Sequence, residues 1–457
     1  MAENTREIVL DTLLELEKND IFSHRLIKAV LDKYNYLGTQ EKGFIKRVTE
    51  GTIERQIELD YYLNFFSSVP VRKMKPLIRN LLRMSTYQLV YMDAVPDSAI
   101  CNEACKLAQK RKFHNLKGFV NGVLRNIAKN KDSLPMPDKA KEPQKFYSVH
   151  YSMPEWLVEF WLREYGDEIT AKLLEGLLAI HPVSLRFRSF LSEGERKSLC
   201  EQLKSAGVEL TQSAYLPYLY TAKRLENVAE LAGFAEGDFT IQDVSSVLAV
   251  AAAGIEKNHM VMDICAAPGG KTILASEMAG KVISRDVSDV KVDMIEENLD
   301  RLQVNNVITQ VYDATQMDET YKEKADVLIM DVPCSGLGIM GKKRDIKYHV
   351  SQESLASIVE LQKEIVRNSW QYVKPDGILL YSTCTINPEE NEKMVEWILE
   401  EFPFEPDSLE GHIPERLMEE KKCVDKMRGR TEDYTIQLLP GYMESDGFFF
   451  ARLRRKS

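Results

Sequence analysis

The chain has 457 residues, 44% apolar and 28% charged, a balance typical of a folded globular protein of two or three domains. Its longest apolar run, Val247 to Ile255, is too short to span a bilayer, and its polar, acidic start (Met1 to Glu7) does not suit a signal peptide. Seven cysteines spread without a Cys-x-x-Cys pair, and seven unclustered histidines, exclude a disulfide framework and a zinc site. A cytoplasmic, monomeric enzyme without metal is expected.

Residues 1–130 are expected to be all helix, with Ile78, Leu81, Leu82, Ser85 and Leu89 at the spacing of an amphipathic helix. The net charge is −10, yet Arg72–Arg83 and Lys106–Lys117 each hold five basic residues and no acidic one. Lys342, Lys343, Arg344 and Lys347 form a third basic patch. Together these runs point to contacts with nucleic-acid phosphates. The Pro-rich, charged stretch Asp132–Pro143 marks a linker, 131–150. Residues 151–235 are expected to form a small α/β domain, with helices over 155–165 and 167–180, a strand from Val183 to Arg188 and a helix from Glu193 to Ala206.

From 236 to 457 strands alternate with helices, the signature of a mostly parallel sheet in an α/β Rossmann-like domain. The expected strands are 260–264, 281–285, 307–312, 325–330 and 378–383, with 435–438 and 448–453 closing the sheet as a hairpin. The first five end in Cys265-Ala266-Ala267-Pro268-Gly269-Gly270-Lys271, at Asp286, at Asp313, in Asp331-Val332-Pro333-Cys334, and at Cys384. Ligands of open α/β sheets bind at these carboxyl ends, so five such endings describe the rim of one crevice. The first loop lacks both the leading glycine of a nucleotide-binding P-loop, having Cys265 there, and the G-x-G-x-x-G spacing. A nucleoside ligand without a polyphosphate fits, with Asp286 placed for ribose hydroxyls and Asp313 for an adenine amino group.

Two cysteines at strand ends suit covalent catalysis on a pyrimidine: a thiolate adding to cytosine C6 makes C5 nucleophilic. Asp331, protonated or poised, would meet the developing charge at N3, and Lys271 would add positive charge. Asn387, Pro388 and Glu390 have the pattern of a helix start, expected to lower the Cys384 thiol pKa. On chemistry alone either Cys334 or Cys384 is the nucleophile.

The segments Cys265–Thr272, Asp331–Ser335 and Ser382–Asn391 resemble the RNA cytosine-C5 methyltransferases of the NOL/NOP/Sun family, as do Asp446–Arg452 and Gln242–Ser246. The segments 81–89, 95–103 and 118–125 resemble the NusB fold, a helical RNA-binding module. The resemblance implies S-adenosylmethionine as cofactor, Cys384 as nucleophile, Cys334 in product release, and 16S rRNA or a small-subunit assembly intermediate as partner, at cytosine 967 in rRNA numbering. The same chemistry on transfer RNA, or an RNA-binding module with an inactive catalytic domain, are the alternatives; intact Cys334, Cys384 and Asp331 speak against the second. Val332, and Lys343-Arg344-Asp345, depart from the family pattern.

Overall fold

A computed structural model describes residues 4–19, 21–179, 182–225 and 227–457; Met1 to Glu3 and Ile180, the end of an expected helix, lie outside them. The chain divides into two compact units, 1–174 with 342–349, and 175–341 with 350–457.

The first unit is a helical bundle. Its central helix, Pro76–Tyr91, starts on a proline at its first turn, where the missing N–H costs nothing. The five expected core positions are buried, and so are Asn80, Arg83, Thr86 and Gln88. The helix is therefore enclosed on all sides rather than amphipathic. Arg83 tolerates this because Asp60 accepts both its Nε (2.7 Å) and an Nη (2.6 Å). The stretch expected as a linker carries a helix, Pro143–His150, in which Tyr147 and Val149 are buried.

Residues 342–349 pack as a strap on this bundle. Arg344 pairs with Glu50 (2.7 Å) and Glu54 (2.8 Å). Lys347 is buried and donates to the carbonyls of Glu54 (2.7 Å) and Ser152 (2.6 Å). Tyr348 donates to the Ile53 carbonyl at 2.9 Å. The expected third basic patch is thus not an open phosphate-binding surface: two of its four cations are neutralised or buried within the unit. Burial pulls the Lys347 pKa down to about 7, against the attraction of Glu54 and Glu58 and with the repulsion of Arg55 and Arg344. Below pH 7 folded and unfolded states both carry the proton. Between about 7 and about 10.4 only the unfolded chain does, so this group makes stability rise with pH, by at most about 1.4 kcal/mol per pH unit. Thermal unfolding across that window should show a steeper rise for the wild type than for Lys347→Met; parallel curves would refute the assignment.

The second unit holds two sheets. The smaller is antiparallel, in the order β2-β3-β1-β4, from β1 (Val183–Phe187), β2 (Glu209–Gln212), β3 (Leu219–Lys223) and β4 (Phe239–Ile241). Its last strand lies beyond residue 235, the expected end of this domain. The helix Glu193–Ser205 follows β1, opened by a capping box between Ser192 and Glu195.

The larger sheet contains β5 (Met260–Asp263), β6 (Lys281–Asp286), β7 (Val307–Val311), β8 (Ala325–Asp331), β9 (Val373–Thr383), β10 (Phe404–Pro406), β11 (Thr435–Leu438) and β12 (Phe448–Arg455). Their order is β10-β12-β9-β8-β5-β6-β7, with β11 on β12. Strands β5 to β9 run parallel, and β12 is antiparallel to β9, β10 and β11. The two expected terminal strands do pair, while β10 is too short and polar to show a pattern in sequence. Val261, Leu328, Ile329, Leu379, Leu380 and Phe449 are fully buried, each stabilising the sheet by roughly 1.5–3 kcal/mol. The chain leaves β5 for β6 and β7, then returns to β8 on the other side of β5. That reversal places a crevice at the carboxyl ends of β5 and β8.

Candidate active site

The loop after β5 bends back on itself. Gly269 sits in the left-handed region (φ 98°), its N–H bonded to the Ala266 carbonyl at 2.7 Å. A side chain there would be strained and would press on Ile295 at 3.2 Å. The helix Gly270–Met278 follows at once, so its first N–H groups face the crevice end. Ala266 N–H bonds to the Arg285 carbonyl (2.9 Å) and the Ala267 N–H to Asp286 Oδ2 (2.9 Å), tying the Cys265–Gly270 loop to β6. The Pro268 carbonyl accepts from Asn298 at 3.2 Å. Burial pushes the Cys265 thiol up, which removes it as a candidate thiolate. Inside the loop's base Asp263 is buried, accepts from Thr272 at 2.7 Å, and is raised to about 7 by that burial.

Lys271 crosses the switch point. Its Nζ donates to Asp331 Oδ2 (2.6 Å) and to Ser246 (3.2 Å). Burial acts to lower its pKa, but Asp331, by charge and hydrogen bond, together with the charges of Asp263 and Cys384, holds the ammonium above its ordinary value. Ser382, opposite Asp331 in the β8–β9 register, donates to Oδ1 at 2.9 Å. Both oxygens of Asp331 are therefore acceptors, the pattern of a carboxylate, so of the two expected states, protonated or poised, the hydrogen bonds fit the second.

Because β8 and β9 are neighbours, the loops that follow them meet. Cys334 Sγ and Cys384 Sγ are 3.2 Å apart, both as free thiols. Either thiol can donate to the other across this contact. Cys334 is pushed well above its ordinary pKa, first by the hydrogen bond to Cys384, then by burial and nearby charge including Glu390.

The structure corrects the expected helix start beside Cys384. Asn387 to Asn391 form turns and the helix runs Glu392–Glu401, with Asn391 at its N-terminal boundary making no side-chain cap. It begins eight residues after Cys384 instead of at Pro388. The reason is that Glu390 does not cap. Its buried carboxylate accepts from Ser335 N (2.8 Å), Ser335 Oγ (2.6 Å), Asn387 Nδ2 (2.9 Å) and Gln362 Nε2 (3.0 Å). Sequence reasoning does not find Glu390, Gln362, Ser335 or Ser382; a polar run before a helix looks like a cap whether or not its carboxylate turns inward.

Asp331, Lys271, Cys334 and Cys384 thus come together. Asp286 joins the loop and also accepts from Val287 N (2.8 Å) and Lys291 (2.9 Å). Asp313 accepts from the Thr315 N–H (2.9 Å) and hydroxyl (2.8 Å), closing its own turn. Among the described residues no group of His, Cys, Asp and Glu is arranged to hold a metal ion, and no helix is long and apolar enough to cross a membrane.

The chain thus joins a helical N-terminal unit to a Rossmann-like sheet with a glycine loop at its switch point. Residues 250–454 match the model of the 16S rRNA methyltransferase RsmB/F family, and residues 3–129 that of the NusB family. A probable ribosomal RNA small subunit methyltransferase B of Bacillus subtilis is 35% identical, covering 99% of each chain. The ribosomal RNA small subunit methyltransferase B of Proteus mirabilis is 28% identical over 92% of each. The crystal structure of PH0851 superposes with a TM-score of 0.77 at 22% identity, covering 100% of both chains, which shows the shared fold. The chain belongs to the RsmB/F family of 16S rRNA methyltransferases.

Proposed function

We propose that the chain transfers a methyl group from S-adenosylmethionine to C5 of a cytosine in 16S rRNA, cytosine 967 in rRNA numbering, through a covalent bond between Cys384 and C6. The observation that carries this reading is the 3.2 Å approach of two free thiols beside the Lys271–Asp331 pair. In the reaction Cys384 attacks C6 as a thiolate, and Lys271 stabilises its charge. The electron pair of the C5–C6 double bond moves toward N3, where Asp331, drawing a proton from Lys271, meets it. C5 is then nucleophilic. S-adenosylmethionine supplies the electrophilic methyl group.

The residues present fit that cofactor: the left-handed Gly269 keeps the Cys265–Gly270 loop free of side-chain bulk at its bend, and the helix N-terminus behind it offers unpaired N–H groups. Asp286 and Asp313, at the ends of β6 and β7, are placed for the ribose and the adenine. For release, Cys334 first passes its proton to Lys271, which is one proton short after supplying N3 through Asp331. The resulting thiolate takes the C5 proton, the C5–C6 double bond re-forms, the C6–S bond breaks with its electron pair returning to Cys384, and N3 gives up its proton.

The enzyme acts in the cytoplasm as a monomer, on 16S rRNA or a small-subunit assembly intermediate. The test is methyl transfer from labelled S-adenosylmethionine to unmodified 16S rRNA and, in parallel, to bulk transfer RNA, with the label mapped by mass. One labelled 16S position as 5-methylcytosine supports the reading; label in transfer RNA alone overturns the substrate.

In the helical unit Arg72, Lys73, Lys112 and Lys117 make no ion pair among the described residues, whereas Arg79, Arg83, Lys110 and Arg111 pair with Glu17, Asp60, Glu7 and Asp11. These four cations are the proposed phosphate contacts; Lys75, also without an ion pair among the described residues, lies over the Phe113 ring. Replacing them with Gln should weaken RNA binding regardless of sequence and flatten its salt dependence, by about 0.7–0.9 in slope for each phosphate no longer neutralised. An unchanged salt slope would sink this assignment.

A further inference from the structure

Glu390 lies outside the cysteine, lysine and aspartate chemistry, yet its carboxylate is fully engaged beside it. Its two oxygens accept four hydrogen bonds, two from Ser335, one from Asn387 and one from Gln362. Gln362 also donates to the Pro333 carbonyl at 2.9 Å. Both neighbours of Cys334 in the chain, Pro333 and Ser335, are thus held by the Glu390–Gln362 pair. Cys384 is held by other means. The residues before it are laddered to β12, Thr383 against Phe449 and Ser382 against Phe450. Its own carbonyl accepts from Gly338 N at 3.1 Å. The Tyr381 hydroxyl donates to the Glu390 carbonyl at 2.7 Å, fixing Glu390 beneath the end of β9.

We infer that Glu390 is a positioning residue: it sets Cys334 against Cys384, and so governs release of the methylated RNA more than methyl transfer itself. This rests on the covalent reading given above. Release needs Cys334 Sγ within reach of the C5 proton while the C6–S bond to Cys384 breaks, so a displaced Cys334 loop slows that step selectively. Attack needs only Cys384, which follows directly on the Ser382–Thr383 ladder to β12; Glu390 reaches it only at one remove, through the Ser335 hydroxyl that also meets Thr385 at 2.7 Å. The chemistry of Glu390 is specific as well. All four groups, from three residues, donate to it, an arrangement a carboxylate meets at both oxygens, whereas an amide must turn an N–H₂ toward two of them. Its negative charge beside Cys334 also makes that thiolate the stronger base once it is formed.

The test uses the full-length enzyme with RNA that the wild type methylates. Single-turnover methyl transfer, multiple turnover, and the fraction of protein left in a denaturation-resistant adduct with RNA are measured together. For Glu390→Gln, single-turnover transfer should stay within about threefold of wild type. Multiple turnover should fall about tenfold or more and the adduct should accumulate, the pattern of a loss confined to one step. Asn387→Asp in that background restores a carboxylate facing the new amide and should recover part of the release rate. Ser335→Ala, which removes the hydroxyl's bonds to Glu390 and Thr385 but keeps the backbone bond from Ser335 N to Glu390, should shift the same ratio by about two- to fivefold. Transfer and turnover falling by one common factor in both Glu390→Gln and Ser335→Ala would overturn the positioning role. A wild type that transfers methyl but forms no adduct would overturn the covalent reading beneath it, and the inference with it.

Discussion

Replacing Cys384 with alanine is expected to abolish methyl transfer, by about 10⁴-fold or more, because no other group supplies the bond to C6. Cys265, which also lies at a strand end, is pushed up by burial and is no substitute. Cys334→Ala should behave in the opposite manner: it should transfer one methyl group and then remain attached to the RNA, seen as a protein band of raised mass under denaturing conditions. The two sulfurs are only 3.2 Å apart, so proximity alone does not assign the roles. Their surroundings differ, however. Cys334 is shielded and its thiol held protonated by Cys384, by burial and by neighbouring carboxylates, while Lys271 lies close enough to Cys384 for that thiol's charge to act on the ammonium. An adduct formed by Cys384→Ala and absent from Cys334→Ala would reverse the assignment.

Gly338→Ala should be the most damaging conservative change outside the reacting groups. A Cβ at Gly338 would lie 1.9 Å from the Gly447 carbonyl oxygen and 2.5 Å from its carbon. Neither atom belongs to a flexible side chain, so backbone must shift. Gly338 bonds to Cys384 through its N–H (3.1 Å) and to Gly447 through its carbonyl (2.9 Å), so the displacement falls on the contact between the Cys334 loop and Cys384. Overpacking of this kind costs about 1–3 kcal/mol, and a misplacement near 1 Å at a reacting centre costs about 10²-fold in rate. The unfolding midpoint and single-turnover rate together check this; a variant with both unchanged would show that the loop accommodates the methyl group and that the glycine pair is not what aligns the cysteines.

Much of the catalytic unit is legible in the amino-acid order because buried parallel strands are continuous apolar runs. Val261, Ile283, Leu328 and Leu379 mark four of them, and the polar residue at each end marks the crevice. The helical character of the first unit follows from periodicity in the same way. Sequence and structure part where a polar side chain has more than one possible partner. Glu390 has the spacing of a cap and instead turns inward to the Cys334 loop. Lys347 sits in a basic run and is buried against two backbone carbonyls. Asp331 reads as either protonated or poised, and its two oxygens both accept.

By itself, then, the sequence determined the strand-and-helix alternation, the loop that ends β5, and the set of reactive groups at the strand ends, since each depends on residues close together in the chain. Only the tertiary structure decided which of those groups meet. Cys334 and Cys384 are fifty residues apart and touch because β8 and β9 are adjacent and parallel; Lys271 reaches Asp331 because the chain reverses its course between β5 and β8. Strand order is set by how apolar faces pack over the whole domain, and that sum is not written in any local stretch of residues.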